Sequence, residues 1–458
     1  MEYSKKGLAG MIVALAWPTM MEQVMQTAVQ YVDTAMVGTL GTDAVAAVGA
    51  TSTVGWLVHS TVSAFGVGFL ALIAQACGAR DKAVTKHAAA QAAFVVLVLG
   101  IISTLIPVSL SRWVPVWMQV DPHIQQLSAT YFMILYLPML PRTASAIFGT
   151  ALRAAGDTKT PMKVGIIVNL LNVILNFLLI YPTRTITVAG ISFTMIGADL
   201  GVIGAAIASA IAYLWGGIHI SLVLWHHPLI SPKGESLRPD PKILKPCWKI
   251  TFPNMMQQLG SCLGFVTFAA MINSLGGVST AAHTIANTVE SAFYIPAYGM
   301  QTAAATLTGN AYGARDNKQM KALSAMFIPI EESLMILSGA ALFFAAPALM
   351  SLFSDNAEVI RLGTTVLRMV AVSEPFYGFS IIVEGMHLGV GRTRTPFLYN
   401  VLGMWCVRIV GTFIFTQVMD FGLVAAWGSM IAHNLLVFTL YLIAFTRGTW
   451  NPLNQAAA

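Results

Sequence analysis

The chain has 458 residues, of which 56% are hydrophobic and 10% charged, with a formal net charge of +6 and a mean hydropathy of +0.72. No water-soluble core of this size needs so much apolar sequence, so composition argues against a soluble globular enzyme and for a polytopic membrane protein. The surplus Lys and Arg sit in short runs between apolar stretches, which makes them markers of membrane orientation and not a nucleic-acid surface.

The first residues, MEYSKKGLAGMIVALAWP, have a basic start and an apolar run but no small-residue cleavage site, and read as a retained first helix. Twelve apolar stretches follow one another at about 8–38, 44–75, 88–115, 121–149, 161–181, 199–226, 247–275, 279–310, 322–351, 355–390, 396–418 and 421–446, each near or above the ~20 residues that cross a bilayer. The loops on one side hold most of the Lys and Arg, which places both termini in the cytoplasm. Four cysteines without CxxC spacing indicate neither a metal site nor a disulfide framework.

The first helix contains Pro18, Glu22 and Asp33. A charged side chain inside a span costs at least ~2.5–3.5 kcal/mol on insertion scales, so Asp33 needs a polar partner or a cavity. The fifth helix carries Asn169, Asn172 and Asn176 at spacings that stack them on one face. Both helices run outward. Asp33 and Asn176 each lie five residues, about 7 Å, below the outer helix end, so one carboxylate and two amides can meet. Such an oxygen set suits a hard monovalent cation, by extension of calcium and magnesium preferences, or a proton held on the carboxylate. A structural polar contact between helices is the plainer alternative. Pro18 removes one backbone hydrogen bond and is a candidate kink. Glu22 is a candidate attractor of cationic solutes or a structural contact.

After the sixth helix, HHPLISPKGESLRPDPKILKP (His226 to Pro246) has five prolines and no helical period, and reads as a linker. It divides the chain into a six-helix lobe at 1–225, the linker at 226–246 and a second six-helix lobe at 247–458. The halves align at one constant offset of 235 residues. Pro18 falls on Pro253, Gln23 on Gln258 and Gly41 on Gly276. "GARD" at Gly78 falls on "GARD" at Gly313, and "GDTKTP" at Gly156 on "GRTRTP" at Gly391. Six helices per half return the chain to the same side, so the expected fold is all-α, with two lobes in a parallel repeat about an axis along the membrane normal and a cavity between them. The duplicated loops read as caps fastening helix ends. Asp33, Asn172 and Asn176 meet Phe268, Val407 and Gly411, so this polar set is not repeated.

In the second half, Glu290 and Glu384 are the candidate second acidic site, against interlobe or basic-loop contacts as the alternatives. Arg142 and Arg408 read as partners within their lobes. No Ser/His, paired-aspartate or HExxH constellation supports an intramembrane enzyme, and no GxxxxGK[ST] loop supports ATP hydrolysis.

The segments PTMMEQVMQTAVQYVDTAMVGTLG, GARD, LRAAGDTKTPM and NLLNVILNFLLIY, in this order and duplicated, resemble the multidrug and toxic compound extrusion family of cation-coupled antiporters. The resemblance covers essentially the whole chain. It implies a multi-pass protein of the cytoplasmic (inner) membrane, without cofactor, that exports organic cations or amphipathic drugs in exchange for sodium ions or protons, with a monomer as the expected state. It also implies an ion-binding role for Asp33, Asn172 and Asn176, with Ser209 as a further oxygen. Some members carry aspartate where this chain has Asn176. The acids other members place in the seventh and tenth helices are missing here, the latter near Tyr377. A lipid-precursor flippase of the same wider superfamily is the alternative, but its pyrophosphate would call for a strongly basic cavity.

Overall fold

The computed structural model describes residues 5–188 and 191–455. The first four and last three residues, which the cytoplasmic assignment of the termini concerns, lie outside the described residues. Among the described residues thirteen helices carry the fold: α1 (Lys5–Gly38), α2 (Thr42–Gly78), α3 (Lys82–Leu110), α4 (Gln125–Tyr136), α5 (Met139–Ala154), α6 (Lys159–Leu179), α7 (Gly201–His226), α8 (Pro241–Asn273), α9 (Gly277–Gly313), α10 (Asn317–Ser351), α11 (Ala357–Gly389), α12 (Arg394–Val418) and α13 (Leu423–Thr446). Single turns at Val114–Trp117 and Pro452–Gln455 complete the helical set.

Among the described residues ten helices are long and apolar enough to cross a membrane. The α4–α5 pair adds an eleventh as a broken span bent by 47°. Pro138 stands at that break, where its ring and missing N–H prevent a continuous helix. The expected fourth span is therefore two helices. Helix α9, at 37 residues, is as long as the others but rich in Ala, Thr and Asn, and is not among the ten. Helix α12 widens into π-helix at Gly403–Ile409 and again at Phe413–Val418.

Between α6 and α7 the chain forms a hairpin of β1 (Pro182–Val188) and β2 (Ile191–Ala198), paired antiparallel with Thr185 opposite Thr194. Sequence reading leaves this stretch as a loop. Its alternation of Thr with apolar β-branched residues is the signal that favours a ribbon.

The chain divides into two compact units, unit 1 (Met1–Gln23, Leu70–Asp81, Pro246–Ala458) and unit 2 (Val24–Phe69, Lys82–Lys245). In unit 1 the end of α2 packs against the end of α9 with almost no gap. A Cβ on Gly78 would lie 1.9 Å from the Asn310 carbonyl oxygen, and one on Gly313 would lie 1.9 Å from that of Gln75. These four positions are repeat mates, so the two "GARD" segments meet about a local twofold. Backbone geometry repeats in the same register: φ is positive at Gly41 and Gly276, at Arg80 and Arg315, and at Gly156 and Gly391. At the start of α10, Asp316 accepts a hydrogen bond from the Gln319 N–H at 2.9 Å, which is capping chemistry. The "GARD" loops are built as helix stops and starts.

The segment between α7 and α8 is held down in unit 2. His87 of α3 lies 2.9 Å from Asp240 and 3.3 Å from Glu235. Gln91, fully buried, donates to the Arg238 carbonyl at 2.8 Å and accepts from the Asp240 N–H at 2.9 Å. The Lys242 N–H and the His87 ring hold the Asp240 carboxyl below its usual range.

Candidate functional site

Asp33 is brought to α6 by the packing of helix ends. Met36 and Val37 at the end of α1 pack with Ile180, Val202 and Ala205. The Tyr181 hydroxyl lies 3.0 Å from that of Thr39 and 3.4 Å from the Met36 carbonyl, pinning the two ends together. Gly204 lets α7 close on the end of α6, since a Cβ there would lie 2.4 Å from the Leu179 carbonyl oxygen. Half-buried Asp33 thus meets buried Asn172 and Asn176.

The Asn176 Nδ2 donates to Asp33 Oδ1 at 2.6 Å and to Asn172 Oδ1 at 3.2 Å. Asn172 in turn donates from Nδ2 to Ser209 Oγ at 3.0 Å. This setting turns the Asn172 oxygen toward a carboxylate, acceptor against acceptor. Rotated by half a turn, the same amide gives its nitrogen to Asp33 Oδ1 at 2.8 Å and Oδ2 at 3.1 Å, while its oxygen accepts from Ser209. The rotated setting is the one in which the Asn172 oxygen and nitrogen both meet a complementary partner. The Asn176 Oδ1 is buried with no hydrogen-bond partner, an acceptor whose burial is costly unless something positive reaches it. Four side chains singled out in the sequence, Asp33, Asn172, Asn176 and Ser209, therefore form one cluster, and its donor set of neutral and anionic oxygens fits a small cation.

The other candidates stand elsewhere. Pro18 lies inside α1, which continues as helix through it. The Thr19 hydroxyl donates to the carbonyls of Ala16 at 2.8 Å and Gly299 at 2.9 Å, tying this part of α1 to α9 within unit 1. Glu22 is half-buried in unit 1, eleven residues before Asp33 in the sequence. Glu384 is not held by solvent or a basic loop. Its Oε1 accepts from Gln257 at 2.8 Å and its Oε2 from Asn400 at 3.2 Å, because α8 and α12 each present an amide to α11.

Glu290 is buried in α9 within electrostatic reach of Arg408. Phe268, the repeat mate of Asp33, is covered by the Arg408 guanidinium, 4.2 Å from its ring centroid, and the same guanidinium reaches the Met430 sulfur at 2.9 Å. Where unit 2 offers oxygens, unit 1 supplies its own cation on an aromatic face.

Two acids that the sequence analysis does not single out are the most completely buried. Glu374, 1% exposed, and Glu331, 0% exposed, have no hydrogen-bond partner on any carboxyl oxygen. Glu374 lies within electrostatic reach of Glu290, and its place in α11 is three residues before Tyr377. The signal was the one that marks Asp33: an acid in the middle of an apolar run.

The pattern characteristic of one protein family matches residues 18–178 and again 253–414, under the description MatE. The two matches begin 235 residues apart, the offset of the internal repeat. The chain belongs to the MatE family. Its relatives are transporters and not enzymes. A probable multidrug resistance protein NorM of Thermotoga maritima is 24% identical over 439 residues, covering 96% of this chain and 92% of its own length. A probable NorM of Synechocystis is 26% identical, covering 90% and 89%. Among solved structures, an outward-facing multidrug resistance MATE transporter superposes with a TM-score of 0.89 at 22% identity, over 98% of this chain and 97% of that one. A MATE crystal structure in the bent conformation gives 0.87 at 21%, over 100% and 99%. The two-lobed helical layout expected from the repeat fits these structures. The chain is thus a multi-pass membrane transporter of the MATE multidrug efflux family, a family that takes drug substrates and needs no cofactor.

Proposed function

We propose that this MATE protein is a secondary active exporter of the cytoplasmic membrane, monomeric and with both termini cytoplasmic, exchanging hydrophobic cationic drugs for sodium ions or protons by alternating access. Asp33, Asn172, Asn176 and Ser209 hold the coupling ion. One observation carries the reading: a carboxylate, two amides, a hydroxyl and an unpartnered buried amide oxygen converge in one cluster. Pro18 supplies the bend that transmits ion binding along α1, and Glu22 attracts the cationic substrate. Glu290 and Glu384 stand as the second acidic site, with Glu374 added to Glu290. The two repeat halves, 1–225 and 247–458, are the moving parts, joined by 226–246.

Ethidium efflux from proteoliposomes under separately imposed sodium and proton gradients tests this. The Asp33→Asn variant is expected to lose gradient-driven efflux while still binding ethidium. Retention of wild-type efflux by Asp33→Asn would sink the assignment. The gradient that drives wild-type efflux names the ion.

A further inference from the structure

Unit 2 carries a second polar constellation that ion coupling does not use. Gly55 and His59 of α2, Tyr136 at the end of α4, and Arg142 and Thr143 of α5 line one cavity of ≈20 Å³, room for about one water or one monatomic ion. Tyr136 and Thr143 are 1% and 0% exposed, and neither hydroxyl has a hydrogen-bond partner. Thr150, on the same helix, closes its hydroxyl on the carbonyl of Ala146 at 2.8 Å; Thr143 makes no such bond. Among the described residues Arg142 closes no ion pair with a carboxylate, and its guanidinium lies 4.5 Å from the Tyr213 ring centroid. An arginine in a membrane span calls for a counter-charge.

The repeat shows which charge is missing. Gly55 and Met139 are the mates of Glu290 and Glu374, while His59 and Arg142 are the mates of Tyr294 and Tyr377. In unit 1 this place holds two carboxylates among tyrosines. In unit 2 it holds a guanidinium, an imidazole and two free hydroxyls around a small space, a set rich in donors and without an anionic acceptor. Water would bring two more donors to such a set. An acceptor-only ligand of one atom matches it.

We propose that this cavity binds a monatomic halide, chloride in the cell, against the Arg142 guanidinium and the hydroxyls of Tyr136 and Thr143, in the position that the other repeat fills with the Glu290 carboxylate. The anion neutralises Arg142 inside the membrane and completes the packing of α2 on α4 and α5. It is a structural ligand, separate from the Asp33 cluster.

Crystals of the full chain grown in sodium bromide should show one anomalous peak in contact with Arg142. Purified protein should unfold at a higher temperature in chloride than in gluconate at equal ionic strength. Thr143→Val, which exchanges a hydroxyl for a methyl group, should weaken the apparent halide affinity about tenfold. Gly55→Asp should abolish the halide response by supplying the carboxylate in place; a Cβ at Gly55 meets only the Tyr136 hydroxyl, at 3.2 Å. If Gly55→Asp does not fold, Thr143→Val alone decides. Equal unfolding temperatures in chloride and gluconate, a water in the cavity of a bromide crystal, or a Thr143→Val protein with unchanged halide affinity would each overturn the proposal.

Discussion

Replacing Gly78 by Ala forces a methyl group to within 1.9 Å of the Asn310 carbonyl oxygen, 2.6 Å of its carbon and 2.7 Å of its Cα. Real Cβ atoms essentially never come closer than 3.0 Å, and all three neighbours are backbone, so no side-chain tip can swing away. The ends of α2 and α9 must separate by at least about 1 Å, which puts the cost near the upper end of overpacking, about 3 kcal/mol. For a unit of this size that corresponds to a fall in Tm of about 6–12 °C. Gly313→Ala, clashing with Gln75 at 1.9 Å, should cost about the same. Because one separation relieves both clashes, the double variant should lose much less than the sum, a coupling of about 1–3 kcal/mol. Thermal unfolding followed by fluorescence-detected gel filtration measures all three. Gly10→Ala is the control, since its Cβ would meet nothing within 4 Å. A Gly78→Ala protein melting within about a degree of wild type, or a double variant whose loss equals the sum of the singles, would refute this account of the crossing.

Gln91→Ala removes two of the contacts that hold residues 238–240 to α3 and leaves the one between His87 and Asp240, so trypsin should cut this segment at Lys233 several times faster than in wild type, on a gel time course. Asn176→Ala, which takes away a 2.6 Å donor to Asp33 and the unpartnered oxygen, should weaken coupling-ion affinity about tenfold while leaving the protein folded, read from the ion dependence of ethidium efflux. In the connection before α4, His123 lies between Asp121 at 2.8 Å and Asp43 at 3.1 Å. Its pKa is raised by these carboxylates, and that of Asp121 is lowered by His123. The raised histidine contributes stability below its ordinary value of about 6.5 that is lost as pH rises through its folded value. The lowered Asp121 contributes above its ordinary value of about 3.9, and that part is lost as pH falls through its folded value. The tie therefore holds between those limits. An NMR titration of His123 should show its pKa falling toward the ordinary value in Asp43→Asn, and an unchanged titration would disprove the contact.

The internal repeat, the membrane class and the Asp33 cluster were legible in the one-dimensional chain, because each rests on local physics. Hydropathy must match the bilayer along every span, a duplicated backbone keeps its glycines and left-handed residues at a fixed offset, and an acid in an apolar run has to find a partner at its own depth. Asn172 and Asn176 share a face by helical spacing alone, so their meeting with Asp33 needed only the direction of two helices. What no local rule contains is which helices touch. That Glu384 takes two amides from α8 and α12, that Arg408 covers Phe268, that Gly78 meets Asn310, and that Tyr136 and Thr143 keep idle hydroxyls beside Arg142 depend on crossings between segments far apart in sequence. Sequence determined what each helix carries and how deep it lies; tertiary packing alone decided which buried charges are answered by a neighbour and which are left facing a space.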